Sequence, residues 1–180
     1  HFPNLSIVGV IDADLGLMGG DMRAVERTYN LLQQVSGRAG MTKKIGQVFI
    51  QTYYPDNPVM RSFKNRDRDS FIKQTLEERK QFNMPPFSFM TAIILSGASK
   101  AKVETFANNL VKGYILEKGI DILGPVEAPL FLLRGRYRYR LLIKGDKRNK
   151  LNAFTRKMIE KTPVPSTIRL TIDVDPYTFM

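Results

Sequence analysis

The spacing of apolar residues changes several times along the chain, and these changes outline its elements. Residues 5–11 (LSIVGVI) form a continuous apolar, β-branched run, which predicts a strand covered on both faces. Asp12-Ala13-Asp14 and a glycine-bearing loop follow. Asp21 is suited to cap the next segment, where Val25, Tyr29, Leu32 and Val35 keep helical spacing, so a helix is predicted over about 22–36. Gly37 and Gly40 close it. Residues 46–52 (GQVFIQT) alternate and predict a second strand. Strand, helix, strand belongs to an α/β layer, here too small to be a whole α/β domain. A polar connection with Pro55 and Pro58 covers 53–69. A helix predicted over 70–83 turns Ile72 and Leu76 inward. It stops at Met84-Pro85-Pro86-Phe87, because proline lacks a backbone donor and disfavours helix before it. A domain boundary is expected there, dividing the chain into 1–84 and 85–180.

The remainder has a clearer plan. Strands are predicted over 88–96, 120–123, 136–144 and 167–174. A helix capped by Ser99 buries Val103, Phe106, Ala107, Leu110 and Tyr114. Another, capped by Asp146, buries Leu151, Phe154 and Met158. The order β-α-β-β-α-β is the split βαβ, or ferredoxin-like, pattern. The fold class expected is therefore α/β followed by α+β.

Composition narrows the chemistry. The 180 residues include no cysteine and only His1 as histidine. That excludes disulfides, cysteine-based zinc or iron–sulfur ligation, cysteine nucleophiles and a histidine-based triad within this sequence. No apolar run approaches the roughly 18 residues of a membrane span, and no signal peptide opens the sequence, so a cytoplasmic location without membrane partners is expected. The sequence starts at His1 and enters a strand within a few residues, as a piece of a longer protein would.

Charge is unevenly placed. There are 28 basic and 17 acidic residues, a net charge of +11. Up to Gln51, five basic residues meet four acidic ones, so nearly all the excess lies beyond. It peaks where Arg134, Arg136, Arg138, Arg140, Lys144, Lys147, Arg148 and Lys150 are opposed by Asp146 alone. In a strand, alternate side chains share a face. Arg134, Arg136, Arg138 and Arg140 would then line one face, and Tyr137 and Tyr139 the other. Aligned like charges repel unless a polyanion neutralises them, so nucleic acid is the expected partner, with the tyrosines as base-stacking platforms if their face is open. The competing reading is a solvated arginine face with tyrosines packed on a helix.

Two further groups are candidates for nucleotide chemistry. Asp12 and Asp14 at a strand end suit either a magnesium ion or loop capping. Gln34 and Arg38, four apart at a helix end, share a face, and Gly37 and Gly40 allow close backbone approach to a phosphate. No G-x-x-x-x-G-K-[ST] occurs, so the sequence has no phosphate loop of its own.

Several separated stretches resemble one family. His1-Phe2-Pro3-Asn4, Asp12-Ala13-Asp14, Asp21-Met22-Arg23-Ala24 with Glu26-Arg27, and residues 34–40 are similar to the second motor lobe of the primosomal protein N prime family of replication-restart helicases. Gln34-x-x-Gly37-Arg38-x-Gly40 resembles the sixth motif of superfamily-two helicases. Glu78-Arg79, Pro85-Pro86-Phe87, Gly124-Pro125, Tyr137-Arg138-Tyr139-Arg140 and Asp173-Val174-Asp175-Pro176 resemble that family's C-terminal domain. The resemblance implies an ATP-driven 3′-to-5′ DNA helicase that binds stalled or branched forks and restarts replication with single-strand-binding protein and other primosome proteins. It implies that residues 1–84 end a RecA-like motor lobe. Gln34 and Arg38 would sense ATP, with Gly37, Gly40, Asp12 and Asp14 at the nucleotide cleft. Residues 85–180 would bind DNA through Arg134, Arg136, Tyr137, Arg138, Tyr139, Arg140 and Lys144, in a domain similar to a small-subunit ribosomal protein. ATP and Mg²⁺ would serve only the full-length protein, whose phosphate loop and zinc-binding cysteines would lie upstream. The fragment alone is expected to be inactive. One departure stands out. The family motif has a second arginine after its last glycine, and here that position is Met41, which predicts weak ATPase activity. The alternative reading is a stand-alone, non-catalytic nucleic-acid-binding module for DNA or RNA.

Overall fold

The structure, a computed structural model, describes residues 5–17, 21, 23–38, 46–112 and 117–177. Gly40, Met41 and Tyr114 lie outside them. The architecture is mixed α/β, with two sheets and five helices among the described residues. The chain divides into two compact units, His1–Glu77 and Glu78–Met180.

In the first unit, β1 (Ile7–Val10) pairs in parallel with β2 (Gln47–Ile50), joined through helix α1 (Ala24–Ser36). The sequence predicts both strands, but not their surroundings. Ile7 is 57% and Ile11 80% exposed, so β1 is not covered on both faces. A two-stranded sheet has too few neighbours to enclose it, and a complete RecA-like lobe is not in this chain. The helix begins at Ala24, with Asp21 ahead of it accepting from the Arg23 backbone N–H at 2.9 Å and pairing with Arg27 at 2.5 Å.

The core of this unit is Ala13, Tyr29, Leu32, Val59, Met60 and Phe71. Val59 and Met60 come from α2 (Pro58–Asn65), inside what reads as a polar connection. Its start carries a helix signal nonetheless. Asn57 is the N-cap, accepting from the Val59 N–H at 3.0 Å, and Pro58 occupies the first turn. Helix α3 (Arg68–Gln81) also departs from expectation. Ile72 and Leu76 are exposed, and Phe71 faces the core, stacked on Tyr29 with ring centroids 4.5 Å apart.

The second unit holds β3 (Phe89–Gly97), α4 (Lys100–Lys112), β4 (Ile120–Leu133), β5 (Arg136–Gly145), α5 (Arg148–Glu160) and β6 (Ile168–Val174). The sheet order is β4-β5-β3-β6, with every neighbouring pair antiparallel. Each strand–helix–strand pair thus has one strand inserted between its members, the split βαβ arrangement. Val103, Phe106, Ala107 and Leu110 of α4 and Leu151, Phe154 and Met158 of α5 pack on Ile93, Leu95, Leu141 and Ile143 of the sheet. Each such large side chain contributes about 1.5–3 kcal/mol on burial. Two details differ from the sequence reading. Strand β4 continues through Gly124-Pro125 to Leu133, with two register shifts. Asp146 does not cap α5; its carboxylate accepts from Asn83 Nδ2 at 3.3 Å, and the N-cap is Lys147.

Candidate nucleic-acid interface

Strand β5 sorts its residues by period two. Tyr139, Leu141 and Ile143 point into the core beneath the helices. Arg136, Arg138, Arg140 and Lys144 alternate with them and take the opposite face. Tyr139 is only 5% exposed, its ring edge-on to Phe131 at 5.7 Å. It is therefore a core residue and not an open base platform. Burial, then the neighbouring Glu104 carboxylate, hold its hydroxyl above its ordinary pKa of 10.0. Tyr137 is half-buried, 5.4 Å from Phe131.

The arginines are not equivalent. Arg134 is not on the strand. With Gly135 it forms the two-residue β4–β5 turn, and both have positive φ (51° and 74°), the signature of a type I′ hairpin. Arg136 donates from Nη2 to the Ser96 carbonyl at 2.8 Å, and Arg138 from Nη1 to the Leu130 carbonyl at 3.4 Å. Both are half-buried and keep further donors. Arg140 is buried, so its guanidinium is not offered to a large ligand as the outer ones are. Lys144 is held by Asp121 at 3.4 Å and the Phe82 carbonyl at 3.2 Å. Positive charge on this face is thus available mainly towards the hairpin end.

Sheet register adds a residue that sequence reasoning missed. Arg138 and Arg169 are both paired with Ser96, so Arg169 on β6 shares the arginine face and is exposed. Nothing in the spacing of 167–174 reveals this, because it depends on which strands are neighbours.

In the first unit, Asp14 is buried. Its Oδ1 accepts from Thr52 Oγ1 at 2.6 Å and its Oδ2 from the Tyr53 N–H at 2.7 Å. Asp12 Oδ1 accepts from the N–H groups of Asp14 and Leu15 at 3.0 and 3.1 Å. These carboxylates tie loops together, and no cluster of three metal-binding side chains occurs among the described residues. Asp12 Oδ1 and both Asp14 oxygens are thus engaged in holding the loops. Both aspartates line a cleft of about 260 Å³ at the C-terminal ends of the parallel strands. Gln34 and Arg38 are exposed at the end of α1. Gly37 lines a separate cavity of about 780 Å³ with Gln33, Ser36, Lys64 and Arg66. Its φ is −64°, so it is not needed for a left-handed turn. Gln34 and Arg38 are not among the residues lining the cleft of Asp12 and Asp14.

Fold and charge define a split βαβ domain with a basic sheet face, preceded by an α/β segment. Residues 80–177 match the family model described as the primosomal protein N C-terminal domain. Over 179 residues the chain is 46% identical to the replication restart protein PriA of Rickettsia typhi and 45% identical to that of Rickettsia conorii, covering 99% of this chain. It is 34% identical over 184 residues to the replication restart protein PriA of Bacillus subtilis. The chain belongs to the primosomal protein N family and carries its C-terminal domain. It spans about a quarter of the length of these relatives, 28% of the Rickettsia proteins and 23% of the Bacillus one.

Proposed function

We propose that this chain is the C-terminal part of an ATP-dependent 3′-to-5′ DNA helicase that engages stalled or branched replication forks and takes part in restart. Its second unit holds DNA through the basic end of its sheet. The observation that carries this reading is the convergence of Arg136, Arg138 and Arg169 on one end of one sheet face, with Arg134 in the adjoining turn, in a chain of the primosomal protein N family. The first unit is read as the closing part of the second motor lobe, with Gln34 and Arg38 sensing ATP bound elsewhere in the full-length protein. ATP and Mg²⁺ are cofactors of that whole protein, and Asp12 and Asp14 serve to shape a loop. Single-strand-binding protein and other primosome proteins are the partners this reading implies.

The test is binding of labelled forked DNA, single-stranded DNA and structured RNA of equal length by fluorescence anisotropy. Forked DNA is expected to bind tightest, and Arg136→Ala with Arg138→Ala to weaken every DNA complex. A clear preference for RNA would overturn the helicase reading in favour of a stand-alone RNA-binding module. ATP hydrolysis by the purified chain would overturn its assignment as a part that is inactive alone.

A further inference from the structure

The β4–β5 hairpin does not end flush with its sheet. Strand β3 stops at Gly97, opposite Tyr137, while β4 and β5 remain paired through Leu133 and Arg136 and turn at Arg134-Gly135. Large apolar side chains stand in the open at this tip, Leu133 beyond the end of β3 and Leu132 level with it through Tyr137. Leu132 is 57% and Leu133 42% exposed. They are consecutive in a strand, so they point to opposite faces of the hairpin. Two cations accompany them, Arg134 within the turn and Arg136 paired with Leu133 after it.

Two features argue that the tip is shaped for a ligand. Arg134 holds a left-handed backbone (φ 51°) that glycine, asparagine or aspartate adopt more easily, so an arginine stands at the apex against local preference. A side chain at Gly135 would meet nothing within 4 Å, so the apex is unobstructed. Apolar residues on both sides of a cation-flanked projection have the chemistry of a wedge between bases. Leucine can unstack a base step while arginines hold the phosphates beside it. We infer that the hairpin tip is a wedge for the junction of branched DNA, with Leu132 and Leu133 set against the terminal base pair and Arg134 and Arg136 on the flanking phosphates. This rests on the DNA-binding reading above and assigns it a contact point.

The test uses the 180-residue chain and a fork with 2-aminopurine in the base pair beside the junction. A single strand of the same length is the control. Wild-type binding is expected to raise 2-aminopurine fluorescence. Leu132→Ser with Leu133→Ser is expected to abolish that rise and weaken fork binding by roughly tenfold, since the apolar wedge is lost. Single-strand binding and the melting transition should stay as in wild type, because both leucines are already exposed. If this variant keeps the fluorescence rise and the fork affinity, the wedge is overturned and the leucines belong to a surface for another protein. If wild type gives no rise, the wedge is likewise overturned. Loss of all DNA affinities in Arg136→Ala with Arg138→Ala, alongside intact fork binding in the leucine variant, would refute the wedge while leaving the DNA-binding reading in place.

Discussion

Arg138 on β5 and Arg169 on β6 lie on the same face of the C-terminal sheet, because each is in register with Ser96 on the strand between them. Two strand spacings put their backbones about 10 Å apart. That is near the Debye length at physiological salt, about 8 Å, so their mutual repulsion is partly screened. A polyanion crossing the hairpin end of the face would meet both.

If the two arginines contact phosphates, each should contribute to the salt dependence of binding. Arg138→Ala and Arg169→Ala are each expected to reduce the slope of log K against log salt by about 0.7 on single-stranded DNA, and the double variant by nearly the sum. Titrations of single-stranded DNA at several salt concentrations measure this. An unchanged slope for Arg169→Ala would take β6 off the DNA path.

Tyr139 makes a pH prediction. Burial and Glu104 raise its pKa, and Lys100 partly opposes them. The folded state therefore keeps the phenolic proton more tightly than the unfolded chain does. The resulting stability is fully present below pH 10 and is lost as pH rises through the higher folded value. Lys100, paired with Glu127 at 3.0 Å, also has a raised pKa and acts in the same direction. Urea unfolding should show wild-type stability falling above pH 10, with a shallower fall for Tyr139→Phe. Equal slopes would mean the hydroxyl is not the titrating group.

The second unit was largely legible because its periods are clean. Val103, Phe106, Ala107 and Leu110 repeat at helical spacing and are all buried, and β5 alternates basic with aromatic residues from Arg136 to Arg140. What the sequence could not show was pairing. Arg169 joins the basic face only through the β3–β6 register, and Arg134 leaves the strand because the turn needs two residues of positive φ. In the first unit the signals were local and easy to misweigh. Asn57-Pro58 starts a helix that its polar surroundings conceal. The apolar run at β1 suggests full burial, which a two-stranded sheet does not provide.

Asp14 was a candidate nucleotide-binding residue, but its geometry is that of a buried clamp. It joins the loop after β1 to Thr52 and Tyr53 after β2. Asp14→Ala would leave two donors without their carboxylate, a loss of about 1.5–3 kcal/mol for charged hydrogen bonds. Hydrogen exchange should quicken across β1, β2 and the core of the first unit. DNA affinity carried by the second unit should not change. A variant with unaltered exchange would show that the clamp contributes nothing measurable.

Adjacent residues on α3 give the sharpest comparison between sequence pattern and packing. The sequence places Ile72 inward, whereas the structure buries Phe71 against Tyr29, 5% exposed, and leaves Ile72 40% exposed. Phe71→Ala removes a stacked ring and opens a cavity, which costs about 3–5 kcal/mol. Ile72→Ala removes a side chain that is partly in water and should cost about 1 kcal/mol. Chemical denaturation followed by hydrogen exchange in the first unit separates the two. Similar losses for both variants would mean α3 is rotated from the orientation described here. A large loss confined to Phe71→Ala would confirm that one aromatic contact, and not an aliphatic stripe, attaches the start of this polar helix to the first unit.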